Sequence, residues 1–379
     1  MTVTTSLRLG LYVKSLEINP RHKHDDWIYK IHQVLPRLLP NLVCLTYRDF
    51  PVVHPLFFVL SPRFNSITHL AVSDMKSWTF REIVRLLDRF TQLKTLRVDN
   101  CLWRSPSHFY RRQREKNPPV VTSFKLPTQS LTPPSSIPSS SSDNVYNIAN
   151  WLTTTFPTHS LTRFSFAPPD IPLQSPDFRD LLYQCSGVLK ELKLVIHPSY
   201  YALGRPDDLD IETTWLPAIT SCQKLQRITF VASSPGDPWF LGLLLSRYLP
   251  SSLSVISLQL YRATTLSQLF PSDSEWINAF WEEFDSSVTN LSRFPKLASI
   301  VLKWNLDQPP DLAMIPNEAL VRHMNQLRES GIFKEVLPRL YDSGILLCGL
   351  YEGNVVYRST ESAASTVTRE DTTKCEEGY

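Results

Sequence analysis

Few residues in the chain are spaced to make or break bonds. His22-Lys23-His24-Asp25-Asp26 gathers metal-ligand types within five positions. A metal centre needs convergent donors from elsewhere as well, and the same segment reads as a helix-start loop in which Asp25 or Asp26 is the N-cap. Carboxylate pairs occur at Asp207-Asp208 and Glu282-Glu283, but neighbours on a helix do not converge, so they read as solvated positions. No G-x-S-x-G elbow, H-E-x-x-H, P-loop or dinucleotide fingerprint occurs. Glycine is scarce, with none between Gly10 and Gly187, and phosphate-cradling loops need it for close backbone approach. Catalytic residues, metal ligands and a cofactor are therefore not expected. An enzyme with a dispersed site would need a deep polar pocket with strongly shifted pKa values.

The chemistry that remains is that of binding. Arg104–Lys116 (RSPSHFYRRQREK) mixes basic and aromatic residues. It fits a nuclear-localisation or RNA-contacting patch, although such a run is more often a solvated insertion, here over 104–118. Leu131-Thr132-Pro133-Pro134-Ser135-Ser136 is similar to a phosphodegron with Thr132 and Ser136 as regulatory positions. It lies in a Ser/Pro-rich loop, 127–142, whose composition cannot build a core and which is expected to be disordered.

These groups must be carried by something, and the carrier is a repeat. Residues 76–103 begin with a helical stripe, Phe80, Ile83, Val84, Leu87 and Phe90. They end in Leu93-x-x-Leu96-x-Val98-x-x-Cys101-x-Trp103, the strand frame of a leucine-rich repeat. The frame recurs at Val13-x-x-Leu16-x-Ile18, Leu42-x-x-Leu45-x-Tyr47 and Ile67-x-x-Leu70-x-Val72, and more weakly at Val121-x-x-Phe124-x-Leu126. It returns at Leu161-x-x-Phe164-x-Phe166, Leu189-x-x-Leu192-x-Leu194, Leu225-x-x-Ile228-x-Phe230, Leu253-x-x-Ile256-x-Leu258 and Leu297-x-x-Ile300-x-Leu302. Central positions 16, 45, 70, 96 and 124 are 29, 25, 26 and 28 residues apart; the later steps are 40, 28, 36, 28 and 44. The short steps match the repeat period of about 20–29 residues, and the long ones read as repeats with insertions.

Helical stripes lie between the frames: Trp27, Ile28, Ile31, Leu35 and Leu38; then Phe178, Leu181, Leu182 and Cys185, with Gly187 as C-cap. Trp215, Ile219 and Cys222 follow, then Trp276, Phe280 and Phe284, then a long helical pattern near Glu318–Tyr341 before a closing strand in Gly344–Tyr351. Repeated strand–helix units require a parallel sheet with right-handed crossovers. The fold expected is α/β, a leucine-rich-repeat solenoid or horseshoe with a parallel inner sheet and outer helices. It forms one domain over 11–351, followed by a disordered tail over 358–379.

Within each frame, residues flanking the second and third apolar positions point away from the core. On that concave face stand Arg48, Arg97, Lys125, Arg163, Lys193, Arg227 and Lys303, against Glu17, Asp99 and Glu191, with His69 among them. Seven cations against three anions, on a chain of net charge +3, suggest a face for an acidic or phosphorylated protein partner. Exposed strand positions also simply tolerate long charged side chains.

The totals fit an intracellular protein, cytoplasmic or nuclear. The opening residues lack a secretory pattern, and the longest apolar run, Trp239–Leu245, is too short to span a bilayer. The six cysteines show no pairing rhythm; Cys44, Cys101 and Cys185 fall in apolar frames and are expected to be reduced and buried. The first strand begins at Val13 with little before it to cap an open solenoid end.

Tyr12-Val13-Lys14-Ser15-Leu16-Glu17-Ile18, the degenerate repeats and the late GILLCGLYEG together resemble the fungal F-box/leucine-rich-repeat proteins over most of residues 11–355. The resemblance implies irregular, ribonuclease-inhibitor-like repeats and a non-catalytic substrate receptor of a ubiquitin ligase. In that family an N-terminal F-box binds the Skp adaptor of a cullin ligase. No F-box pattern precedes Tyr12, so the resemblance covers the substrate-binding part, and the adaptor is expected only if an F-box lies upstream. Only Cys101 and Asn305 fill the N/C slot of the frame. The alternatives are a ligase-independent scaffold or inhibitor, and a nucleic-acid-binding protein acting through the basic insertion.

Overall fold

The computed structural model describes residues 11–19, 37–49, 66–74, 80–87, 89–99, 120–126, 160–166, 176–196, 214–232, 244–260, 275–290, 292–304, 331–350, 355–358 and 368–369. The chain divides into two compact units, Met1–Leu189 and Lys190–Tyr379.

The first unit contains strands β1 (Ser15–Ile18), β2 (Cys44–Arg48), β3 (His69–Ser73), β4 (Thr95–Asp99), β5 (Ser123–Leu126) and β6 (Arg163–Phe166). All are parallel and lie side by side in sequence order. The central apolar residue of each frame stacks on the next: Leu16, Leu45, Leu70, Leu96, Phe124 and Phe164 share one register line. Leu45, Leu70, Leu96, Phe124 and Phe164 are buried, whereas Leu16, on the outermost strand, is only half-buried.

A backbone ladder runs alongside. The carbonyl two residues before each central apolar position accepts two N–H groups from the next frame. Lys14 takes those of Val43 and Cys44, Val43 those of Thr68 and His69, and Thr68 those of Lys94 and Thr95. Lys94 then takes Thr122 and Ser123, and Thr122 takes Thr162 and Arg163, at 2.8–3.1 Å throughout. The same backbone group is thus used in strand after strand, so that each strand satisfies polar atoms of the segment leading into the next.

Helix α1 (Phe80–Leu87) buries Leu86 and Leu87, with Phe90 just beyond its end. Helix α2 (Pro176–Cys185) buries Phe178, Leu181, Leu182 and Cys185 completely. Its Phe178 ring lies 5.9 Å from Phe164, and Phe164 lies 5.9 Å from Phe124. Gly187 does not form the expected left-handed cap. Among the described residues the left-handed glycines are Gly331 and Gly344, and α2 instead closes with the Val188 and Leu189 N–H groups on the Cys185 carbonyl.

The second unit repeats the pattern with β7 (Glu191–Ile196), β8 (Arg227–Ala232), β9 (Val255–Leu260), β10 (Ser299–Trp304) and β11 (Leu346–Leu350). These are again parallel and sequential, with Leu192, Ile228, Ile256, Ile300 and Leu346 on one line. The ladder runs through the Lys190, Gln226 and Ser254 carbonyls. Strand β11 adds a frame to those legible in the sequence; its first slot holds Ser343, which hides it. The sheet also continues past 351, through β12 (Val355–Arg358) and β13 (Thr368–Arg369), both antiparallel. The second of these lies in the stretch expected to be a disordered tail.

Helix α3 (Leu216–Thr220) buries Leu216, Ala218 and Ile219. Helix α4 (Glu275–Val288) buries Trp281, Phe284 and Val288, with Trp281 edge-on to Phe284 at 5.7 Å. The helical pattern expected to run to Tyr341 is, where described, two short helices, α5 (Ile332–Val336) and α6 (Pro338–Ser343). Pro338 causes the break: the residue before a proline is pushed out of the helical region, and Leu337 sits at φ −129°, ψ 57°. Gly344 then ends α6 at φ 70°, a conformation glycine adopts without penalty.

Candidate protein-interaction face

The face of interest is the side of each sheet opposite the stacked apolar line. In the first unit it carries, row by row, Cys44, His69, Thr95, Ser123 and Arg163; then Glu17, Thr46, Ala71, Arg97, Lys125 and Ser165; then Arg48, Ser73 and Asp99. Arg48, Arg97 and Arg163 are exposed, and His69, Thr46 and Thr95 are half-buried. Ser73 and Ser123 are buried between longer neighbours.

Register sorts the expected cations into groups. Arg48 forms an ion pair with Glu17 on the adjacent strand, Nη1 to Oε1 at 3.5 Å. Arg97 and Lys125 stand directly opposite each other on β4 and β5, and Arg163 follows on β6, opposite Ser123. Asp99 aligns with Ser73. The His69 ring is engaged locally, its Nδ1 at 2.8 Å from Thr68 Oγ1.

The corresponding face of the second unit differs. Glu191 stands opposite Arg227, a cross-strand pairing of opposite charge. Lys193 aligns with Thr229, and Lys303 with Gln259. Arg227 is exposed, while Glu191, Lys193 and Lys303 are half-buried. Val231, Ser257 and Val301, which alternate with the core positions and were expected to point into solvent, are 0%, 5% and 3% exposed. Here the face is not an open charged surface. Val231 fills the slot that holds Arg48, Ser73 and Asp99 in the first unit, and Val301 the slot that holds Thr46, Ala71 and Arg97; valine does not favour water.

The cysteines carry no reactive site among the described residues. Cys185, Cys222 and Cys348 are buried free thiols. Burial pushes the Cys222 thiol up to about 12, against a smaller lowering from its hydrogen bond with Ser221, and burial raises Cys348 as well. Neither can present a thiolate near neutral pH. Cys44, expected to be buried, is half-buried, because it occupies the alternating position beside Leu45 rather than a core slot.

No family model matches the chain, and no curated protein matches it in sequence.

Other expected positions fall outside the described residues: His22–Asp26, Cys101, the 104–118 insertion, Thr132, Ser136, Asp207, Asp208 and Asn305. Glu282 and Glu283 are both exposed on α4. Among the described residues no group of three or more His, Cys, Asp or Glu is placed to hold a metal ion, and no helix is long and apolar enough to cross a membrane.

One carboxylate went unnoticed in the sequence. Asp285, on α4, is 3% exposed. Its carboxylate accepts the backbone N–H of Arg339 at 3.1 Å and of Leu340 at 2.8 Å. These are first-turn donors of α6, whose own N-cap, Leu337, offers no side-chain bond. Asp285 therefore caps a helix distant in sequence. The available signal was Pro338, which marks a helix start, with no Ser, Thr, Asp or Asn before it.

Proposed function

We propose that the chain is a non-catalytic, protein-binding leucine-rich-repeat solenoid of the irregular, ribonuclease-inhibitor-like kind, working as the substrate-recognition part of an F-box-type ubiquitin-ligase receptor. A protein partner sits on the concave sheet face. The observation that carries the proposal is the repeated use of one backbone carbonyl per frame beneath a continuous apolar line. That is the economy of a solenoid, and solenoids present an extended face of strand side chains for binding. The charged residues of that face supply chemistry for recognition, not bond-making. The adaptor connection depends on an F-box upstream of Tyr12. The test is affinity purification of the full chain from cells. Recovery of the Skp adaptor together with a protein target supports the receptor. Recovery of a target without the adaptor favours a ligase-independent scaffold. Recovery of neither overturns the proposal.

A further inference from the structure

We infer that the second unit carries a basic docking rim where its strands begin, formed by Lys190, Lys224, Arg247, Arg293 and Lys296, and that the rim takes an Asp/Glu-rich segment of a protein partner. The rim is separate from the sheet face and rests on the protein-binding reading, to which it adds a second point of contact and its chemistry.

Parallel strands all start at the same end of a sheet, so the turns into β7, β8, β9 and β10 lie side by side. Hydrogen bonds tie each turn to the next. The Gln226 amide donates to the Lys190 carbonyl, Ser254 to Gln226, and Ala298 to Ser254. Ser252 Oγ donates to the Leu225 carbonyl at 2.7 Å, and Thr220 Oγ1 to that of Tyr248 at 2.9 Å. Lys224 and Lys296 hold the same slot, immediately before the first apolar residue, two strands apart; that separation is about 10 Å. Lys190, Lys224, Arg247 and Lys296 are exposed. Arg293 is half-buried, its guanidinium 5.4 Å from the centre of the Phe294 ring. Among the described residues none of these five forms an ion pair, and the Arg293 Nε is buried without a hydrogen-bond partner. Residues 186–190, 216–227, 247–255 and 292–299 contain no Asp or Glu, although the whole chain is nearly balanced at 39 basic and 36 acidic residues.

Cations near helix C-termini often serve the helix, by complementing its last carbonyls. Here neutral groups already do so. Ser221 Oγ donates to Ala218, the Cys222 amide to Ile219, and Gln223 Nε2 to Thr220. Beyond α4, Thr289 Oγ1 takes the Asp285 carbonyl, and the Arg293 and Phe294 amides take that of Asn290. The rim cations are left for an anion from outside. Burial lowers the Arg293 guanidinium below its ordinary pKa, so a carboxylate beside it relieves an unfavourable charge. The turns favour a protein anion over a nucleic acid. Their Ser252, Ser254 and Thr220 hydroxyls are committed to carbonyls rather than open to phosphate oxygens. Their rings, Tyr248 and Phe294, are half-buried and buried, and stacked bases need exposed ones. Single cations about 10 Å apart suit carboxylates spread along a chain.

The test uses the full chain and three labelled probes: a short oligo-glutamate, its oligo-glutamine counterpart, and a single-stranded oligonucleotide. Fluorescence anisotropy reads binding. Oligo-glutamate should bind, weakening as salt rises, and oligo-glutamine should not. Lys224→Gln/Lys296→Gln should weaken binding about threefold or more, and Lys224→Glu/Lys296→Glu about tenfold or more. Lys334→Glu, exposed on α5 of the same unit, should leave it unchanged. If the Glu variant fails to fold by circular dichroism, the Gln variant decides. No binding of oligo-glutamate, equal loss on Lys334→Glu, or tighter binding of the oligonucleotide overturns the inference. A protein partner captured from cells equally by wild type and the Lys224→Gln/Lys296→Gln variant overturns the rim alone; capture of no partner by wild type overturns the protein-binding reading.

Discussion

Asp285 should be one of the most sensitive single carboxylates in the second unit. Its two acceptor bonds, to the Arg339 and Leu340 amides, join α4 to the start of α6, and α6 leads through Gly344 into β11. Asp285→Ala removes both acceptors. Loss of a helix cap costs about 0.5–2 kcal/mol, and each buried amide left without a partner costs about 1–3 kcal/mol. The Leu340 amide is buried and the Arg339 amide partly so, which places the total near 2–4 kcal/mol. Asp285→Asn retains one acceptor but turns an amide nitrogen towards the other donor, and should cost about 1–2 kcal/mol. Urea unfolding followed by tryptophan fluorescence suits the question, because Trp281 is buried one turn earlier on the same helix. Since a chain of two compact units need not unfold in one step, hydrogen exchange at Arg339 and Leu340 provides the local readout and should speed up. Glu282→Ala, exposed on the same helix, is the control and should change stability by less than about 0.5 kcal/mol. An Asp285→Ala protein as stable as wild type, with unchanged exchange at those two amides, would refute the capping argument.

Further outcomes follow from the same geometry. Asp49 and Asp74 hold left-handed backbone at φ 45° and 58°, each two residues past the third apolar slot; Asp49→Val should cost about 1–2 kcal/mol and Asp49→Gly should be tolerated, as thermal melts would show. Leu96→Ala, in the centre of the apolar line, should cost about 2–5 kcal/mol, and Leu16→Ala, half-buried on the outermost strand, less than about 2 kcal/mol, by the same assay. Cys222 is raised from 9.0 to about 12 by burial, so the folded state keeps a proton that the unfolded chain releases. Its contribution to stability is complete below about pH 9 and is lost as pH rises from 9 towards 12. Cys222→Ala should therefore flatten the alkaline side of a stability–pH profile, and a profile of unchanged slope would count against the buried thiol.

Much of the architecture was written in the residue pattern. Because each strand repeats L-x-x-L-x-L, aligning the frames also aligns the strands, and the facing of Arg97 by Lys125 or of Glu191 by Arg227 follows from their slots. Summing the charges over a face conceals this; sorting them by slot shows which residues face each other across the strands. What stayed hidden depended on contacts distant in sequence. Val231 and Val301 fill slots that alternation assigns to solvent, yet they are buried. Ser343 in the first slot concealed the frame of β11. Gly187 looked like a helix cap, but a helix can close without left-handed backbone, and Pro338 divides what periodicity joined. Asp285 reads as one more acid on an amphipathic helix until α6 comes to rest against it.

The most direct test of the central claim is quantitative affinity purification of the full chain beside its Arg97→Gln/Arg163→Gln variant, with mass spectrometry of what each retains. The protein-binding account predicts a reproducible protein partner on the wild-type chain, depleted about tenfold or more on a variant that melts like wild type. Identical recoveries from the two chains, or nothing above the tag control from either, would contradict it.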